Sequence, residues 1–114
     1  MSTAFQQTHQ TLERYLQDLP THGDFAAHFS DDVVVSFEGG DQRVEGREAA
    51  RQLIEAAHAL GEIKLRSFFT GEDHATIEAT FIRRDRTAVP YAAIYDLDGD
   101  KITALRLYMT GAID

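Results

Sequence analysis

An α+β domain, with one curved, mixed or antiparallel sheet wrapped around helices of the N-terminal half, is the architecture this sequence predicts. Three observations carry the prediction. Apolar residues recur at helical spacing only before Gly61, and beyond it the period drops to two and stays there. The links between the late strands, "GED", "DR" and "DGD", are all of hairpin length, which makes successive strands antiparallel neighbours. The segregation of helix and strand along the chain argues against a parallel, doubly wound sheet, and no GxGxxG or phosphate-binding glycine loop is present.

Residues 3 to 18 set Phe5, Leu12 and Leu16, with Leu19 just beyond, along one helical face, with Thr3 placed to cap the first turn. "LPTHGD" ends that helix, and "DFAAHF" predicts a short second one capped by Asp24, with Phe25 and Phe29 one turn apart. Residues 33 to 37 are β-branched or aromatic at all but one position and predict a strand that turns at Glu38-Gly39-Gly40-Asp41 into a short return strand, "QRVEG". "REAARQLIEAAHAL" then places Ala50, Leu53, Ile54, Ala57 and Leu60 on one face of a third helix, stopped by Gly61. Four strands follow, over 62 to 70, 74 to 84, 87 to 97 and 101 to 109.

Composition bounds the function. At 114 residues, 43% of them hydrophobic, the chain suits one domain, 1–114, able to bury roughly two thirds of its unfolded surface. A formal charge of -8 repels nucleic acid and anionic membrane surfaces. Cysteine is absent, which removes disulfides, thiolate nucleophiles and Cys-ligated zinc. The N-terminus lacks the basic and apolar regions of a signal peptide, and no run has membrane-span length, so a soluble cytoplasmic protein is expected. The histidines show no paired ligand spacing, and none of the four serines sits in GxSxG. Neither metal nor cofactor is expected.

Alternation assigns the strand faces. In 74 to 84, Ile77, Ala79 and Phe81 form the core-facing set. A two-residue turn at Asp85-Arg86 would set Ala79 opposite Ala92 and Ile77 opposite Ile94, so that Ala88, Pro90, Ala92, Ile94 and Asp96 also face inward. A turn at Asp98-Gly99 carries that face onto Thr103, Leu105, Leu107 and Met109, and a one-residue bulge would exchange the sets. Small residues at Ala79, Ala88 and Ala92 beside large apolar ones predict a cavity, unless helix side chains fill the space. The expected wall comprises Phe25, Phe29, Val35, Phe37, Leu53, Ala79, Phe81, Arg83, Ala92, Ile94, Leu105, Leu107 and Met109. The opposite face would carry Ile82, Val89, Tyr91, Tyr95, Arg106 and Tyr108, an aromatic and arginine surface suited to a homodimer through the sheet.

"LERYL", "HFSDDVVVSFEGG", "VEGREAARQLIEAA" and "DGDKITALRLYMTG", in this order, resemble the SnoaL-like and ketosteroid isomerase-like members of the nuclear transport factor 2-like superfamily over nearly the whole chain. The resemblance implies a cone-shaped α+β barrel with an apolar pocket, commonly a dimer, in a superfamily of isomerases, cyclases, epoxide hydrolases, dehydratases and non-catalytic binders. Tyr15 matches the helix-one tyrosine that donates to the developing oxyanion in steroid isomerases. The position of their general base holds Phe37, with Glu38 one step on and facing away, and their second oxyanion acid falls at Ala92 or Ala93. Leu107 stands where related cyclases and epoxide hydrolases project an Asp, and Thr110 where a further acid is common. Phe37 therefore makes the first strand a wall, and a base must come from elsewhere.

Asp96 is the inward carboxylate on this register, either an acid whose proton affinity is raised by apolar surroundings or a strand-end group in solvent. His28 is a base at the pocket mouth or an ordinary surface histidine. Arg83 would bind an anionic ligand group or lie along the strand end beside Arg84 and Asp85. Tyr15 is an oxyanion donor or a core phenol bonded across the barrel. The expected function is a pocket for a small apolar molecule, with isomerase or cyclase-like proton transfer by Tyr15 with Asp96 or His28; the alternative is a binding or dimerisation module of the same fold without catalysis.

Overall fold

A computed structural model describes residues 3–19, 24–38 and 42–109. The predicted break across 20–23, the turn over 39–41, the Thr3 side-chain cap and Thr110 lie outside what it describes. Helix α1 spans Thr3–Asp18, and a 3-10 turn at Phe25–His28 leads directly into strand β1, Phe29–Glu38. Strand β2 (Arg43–Glu45), helix α2 (Arg47–His58) and strands β3 (Gly61–Thr70), β4 (His74–Arg83), β5 (Ala88–Asp98) and β6 (Lys101–Met109) complete the chain. The predicted α+β architecture holds, with two α-helices in place of three. Phe29, expected on the short helix, opens β1 instead with extended backbone at φ -88 and ψ 144.

The six strands form one mixed sheet in the order β2-β1-β6-β5-β4-β3. All neighbours are antiparallel except β1 and β6, which run parallel, with β2, α2 and the β3-β4-β5 meander lying between them in the chain. The helices cover the inner face. Leu12 and Tyr15 of α1 and Ala50 and Ile54 of α2 pack there with Val33, Val35, Ile77, Ala93, Tyr95 and Leu105 from the strands. No helix among the described residues is long and apolar enough to cross a membrane.

Polar ties fix the helices against the sheet. The Arg47 guanidinium donates to the Phe29 carbonyl at 3.0 and 3.1 Å and pairs with Asp31 at 2.8 Å, joining the start of α2 to the start of β1. Gly46, at φ 98, makes the corner between β2 and α2, and its N–H donates to the Val33 carbonyl at 2.8 Å. That backbone angle is open to glycine at little cost and to few other residues. The buried Thr8 hydroxyl donates to the Glu72 carbonyl at 2.6 Å, pinning α1 to the β3-β4 turn.

Register departs from expectation at one hairpin. The β4-β5 connection is a three-residue loop, Arg84-Asp85-Arg86, closed by Arg83 N–H to Thr87 O and Arg86 N–H to Arg83 O, both 2.9 Å. Arg86 takes the left-handed conformation at φ 72, the geometry of a three-residue hairpin loop whose last residue is left-handed. Ala79 therefore pairs with Tyr91 rather than Ala92, and Ile77 with Ala93 rather than Ile94. The inward set of β5 becomes Val89, Tyr91, Ala93, Tyr95 and Leu97. Ala92, Ile94 and Asp96, expected inside, lie on the outer face with Arg106 and Tyr108. A bulge between Asp96 and Leu97 and a turn at Gly99-Asp100 shift the next pairing by an odd number of residues. Tyr95 then faces Leu105 and Ala93 faces Leu107. The second shift cancels the first, and Leu105, Leu107 and Met109 point inward as expected.

An arginine held left-handed carries a backbone strain that glycine lacks. Arg86→Gly is expected to stabilise the chain by about 0.5–1 kcal/mol and raise the unfolding temperature by a few degrees, read by calorimetry. An unchanged or lower midpoint would show that the loop carries no strain.

Candidate functional site

Between the helices and the wide part of the sheet lies a cavity of about 460 Å³. Its wall draws on α1 (Tyr15, Leu16) with Leu19 just beyond it, α2 (Leu53, Ile54, Ala57, His58) and the first residues of β3. Phe37, Ile77, Phe81, Leu105, Leu107 and Met109 extend it across the sheet, with Tyr91 and Tyr95 from β5. The first turns of β3 form an edge where Ile63 and Leu65 are exposed apolar side chains. Gly61 holds this edge close to β4, since a Cβ there would stand 2.2 Å from the Ile82 carbonyl oxygen.

Of the residues expected to line a pocket, Tyr15, Phe37, Leu53, Phe81, Leu105, Leu107 and Met109 do line this cavity. Phe25, Phe29, Val35 and Ala79 are buried behind its wall. Phe25 and Phe29 position the Tyr15 ring, with centroids 6.2 and 5.5 Å away. Arg83 is half-buried at the end of β4, away from the wall. Ala92, Ile94 and Asp96 are excluded by the β5 register, and Asp96 is engaged on the outer face by Arg106 at 2.6 Å. His28 also lies off the wall: its Nε2 meets Asp18 Oδ2 at 3.0 Å, so the imidazole ties the 3-10 turn to α1. Neither proton carrier considered beside Tyr15 reaches the cavity.

The structure brings other polar groups to it. Tyr95 meets Tyr15 edge to face, with centroids 5.5 Å apart and planes at 68°, and a hydrogen bond joins the two side chains. Both rings are almost fully buried. Burial lifts the Tyr15 phenol well above its ordinary range, an effect the bond with Tyr95 offsets in part. Burial likewise raises Tyr95, and the nearby Tyr15 and Tyr91 oxygens raise it further. Tyr91 is pushed up to about 12 by burial. All three phenols therefore remain neutral hydrogen-bond donors through the ordinary pH range. His58, in the last turn of α2, and Glu62, exposed at the β3 edge, complete the polar lining, and no lysine or arginine belongs to it.

The tyrosines escaped the sequence reading because the assumed two-residue turn placed them outside. A signal was present. Val89, Tyr91, Ala93, Tyr95 and Leu97 form a set without charge, whereas the alternate set ends on Asp96, so burial energetics favour the former as the inner face. His58 lies one turn beyond the buried Ile54 on the apolar face of α2, a spacing that placed it near the core independently of any metal motif.

The family profile described as the SnoaL-like domain matches residues 10–105. The chain belongs to the SnoaL-like domain family. An NTF2-like protein of unknown function from Mesorhizobium loti superposes on this SnoaL-like chain with a TM-score of 0.88 at 19% identity, covering 97% of each. A candidate ketosteroid isomerase from Kribbella flavida gives 0.84 at 14% identity, covering 95% of this chain and 81% of its own. An LEH-like epoxide hydrolase from M. tuberculosis gives 0.75 at 20% identity, covering 92% of this chain and 84% of its own. No curated protein sequence matches the chain significantly. At these identities the structural likeness establishes the fold alone.

In this SnoaL-like domain the phenols couple stability to alkaline pH. A phenol with a folded value above its ordinary 10.0 binds more protons folded than unfolded, so its contribution is intact below that value and lost as pH rises through the folded one. For Tyr91 the window runs from 10.0 to about 12. Tyr91→Phe is expected to flatten the fall of unfolding free energy there by about 1.4 kcal/mol per pH unit, measured by urea denaturation. An unaltered slope would mean that Tyr91 ionises freely in the folded chain.

Proposed function

We propose that this domain binds a small, neutral, largely apolar molecule through a carbonyl oxygen and polarises that carbonyl for cofactor-free proton transfer of the isomerase or cyclase type. The Tyr15–Tyr95 hydroxyl pair in an apolar cavity carries this reading. Two hydroxyls joined by one hydrogen bond retain one further O–H, and among the described residues it has no protein acceptor. A carbonyl oxygen fits that donor. Charge developing on the oxygen during enolisation would strengthen the bond in a site of low dielectric, which is how a preorganised donor accelerates such a step.

The size and polarity of the wall define the ligand. A volume of about 460 Å³ lies toward the small end of ligand cavities. The absence of cationic lining among the described residues disfavours a carboxylate or phosphate ligand, whose lost hydration nothing would replace. Proton removal would fall to His58, the one imidazole on the wall, since the phenols are too weakly acidic to act as bases in ionised form.

One observation favours the alternative, a binder of the same ligand without catalysis. His58 Nε2 is buried away from solvent-accessible space, and Glu62 is exposed at the rim, so neither base stands ready over the cavity floor. Exchange of the α-hydrogens of β-tetralone in deuterium oxide, followed by proton NMR, decides between the two. The catalytic reading expects acceleration by the wild type and its loss in His58→Gln; binding without acceleration leaves the binder.

Binding itself has its own test. β-Tetralone is expected to bind about 10-fold tighter than tetralin, which lacks the oxygen, a difference of about 1.4 kcal/mol and within the range of one buried hydrogen bond. Tyr15→Phe is expected to abolish that difference, as measured by chemical-shift titration. Equal affinities in the wild type would overturn the carbonyl assignment.

A further inference from the structure

Resting on the carbonyl site just described, we infer that Tyr91 is a second, separate hydrogen-bonding station, and that the ligand is a neutral molecule with two oxygen functions spaced across an apolar skeleton. Tyr91 lines the same cavity as the Tyr15–Tyr95 pair but is not part of it. Its hydroxyl has no hydrogen-bond partner among the described residues, although burial is the cause of its raised proton affinity. A half-buried phenol on the cavity wall with no protein partner leaves its hydroxyl free to bond whatever occupies the cavity.

Strand geometry separates the two stations. Tyr91 and Tyr95 share the inward face of β5 with Ala93 between them, so their backbones stand roughly 13 Å apart at about 3.3 Å per residue, while their hydroxyls come closer, within electrostatic reach of one another. Tyr95 sits opposite Leu105, and Tyr91 opposite Met109, nearer the β4-β5 hairpin. Ile77, Leu107 and Phe37 supply apolar wall from the neighbouring strands. A ligand following this arrangement carries its carbonyl at the Tyr15–Tyr95 end, hydrocarbon in the middle and a hydroxyl or second carbonyl at Tyr91. A phenol both donates and accepts, so either group satisfies it. Without a cationic side chain on the wall, the second oxygen belongs to an uncharged group. A site built around a polar partner discriminates against ligands that lack it, which makes Tyr91 a specificity-determining residue rather than a participant in proton transfer.

The test compares β-tetralone with its four derivatives hydroxylated on the aromatic ring, isomers of one another and each neutral at the assay pH, by chemical-shift titration against wild type, Tyr91→Phe and Tyr15→Phe. At least one isomer is expected to bind the wild type 10-fold or more tighter than β-tetralone. Tyr91→Phe is expected to erase that preference, bringing every hydroxylated ligand to within about twofold of β-tetralone measured on the same variant. The same preference persisting in Tyr91→Phe, or no isomer exceeding β-tetralone, overturns the second station while the carbonyl site stands. If β-tetralone shows no advantage over tetralin and no response to Tyr15→Phe, the carbonyl site itself fails, and the inference with it.

Discussion

The left-handed turn at Arg86 is the constraint on which the interior depends. With Arg84, Asp85 and Arg86 all in the loop, β5 meets β4 one residue away from the pairing that a two-residue turn would impose. Because side chains alternate across a strand, that single residue exchanges the two faces of β5. It brings Tyr91 and Tyr95 into the cavity and sends Asp96 out to Arg106. An acid that would have suited a pocket becomes half of an external ion pair, and two phenols that would have suited an interface become the polar floor of the site.

Tyr15 depends on a different set of supports. Phe25, Phe29 and Tyr95 surround its ring, and His28 stands 6.5 Å away while bonded to Asp18 one turn along α1. The acidic pair at the start of β1 serves the same framework. Asp31 pairs with Arg47 and so joins strand to helix, while Asp32 accepts from Ser30 at 3.0 Å within β1 itself. The strand they introduce ends in Phe37, which is wall, while Glu38 turns outward and accepts a bond from Ser36 at 3.1 Å.

A cavity lined by neutral phenols, one imidazole and hydrocarbon, with its carboxylate, Glu62, out at the exposed rim, differs in chemistry from one built around inward carboxylates. The acid positions of related isomerases and cyclases hold Phe37 and Leu107 on the wall and Ala93 buried behind it, with Ala92 outside. Desolvation keeps the phenols protonated, which makes them strong donors to an uncharged oxygen and poor hosts for an anion. The fold of this family is thus retained around a cavity whose interior polar groups are mainly phenol hydroxyls, with His58 and Glu62 toward its edge.

Local patterning in the sequence determined much of the architecture: the α2 face with Leu53 and Ile54, the inward odd residues of β4, the Gly61 boundary, and the alternation that marks each late strand. These features depend on periods of 3.6 and 2 that few neighbouring residues suffice to define. Tyr15 and Phe37 were legible for the same reason, since each lies on an element whose face is set locally. Tertiary structure alone decided the parallel pairing of β1 with β6, the bulge after Asp96 and the inner face of β5. Pairing between strands turns on loop conformation, and the left-handed backbone of Arg86 has no marker in the residue itself, since arginine ordinarily avoids it. Leu105, Leu107 and Met109 reached the interior through two compensating shifts, so their correct placement owed as much to the bulge as to their hydrophobicity.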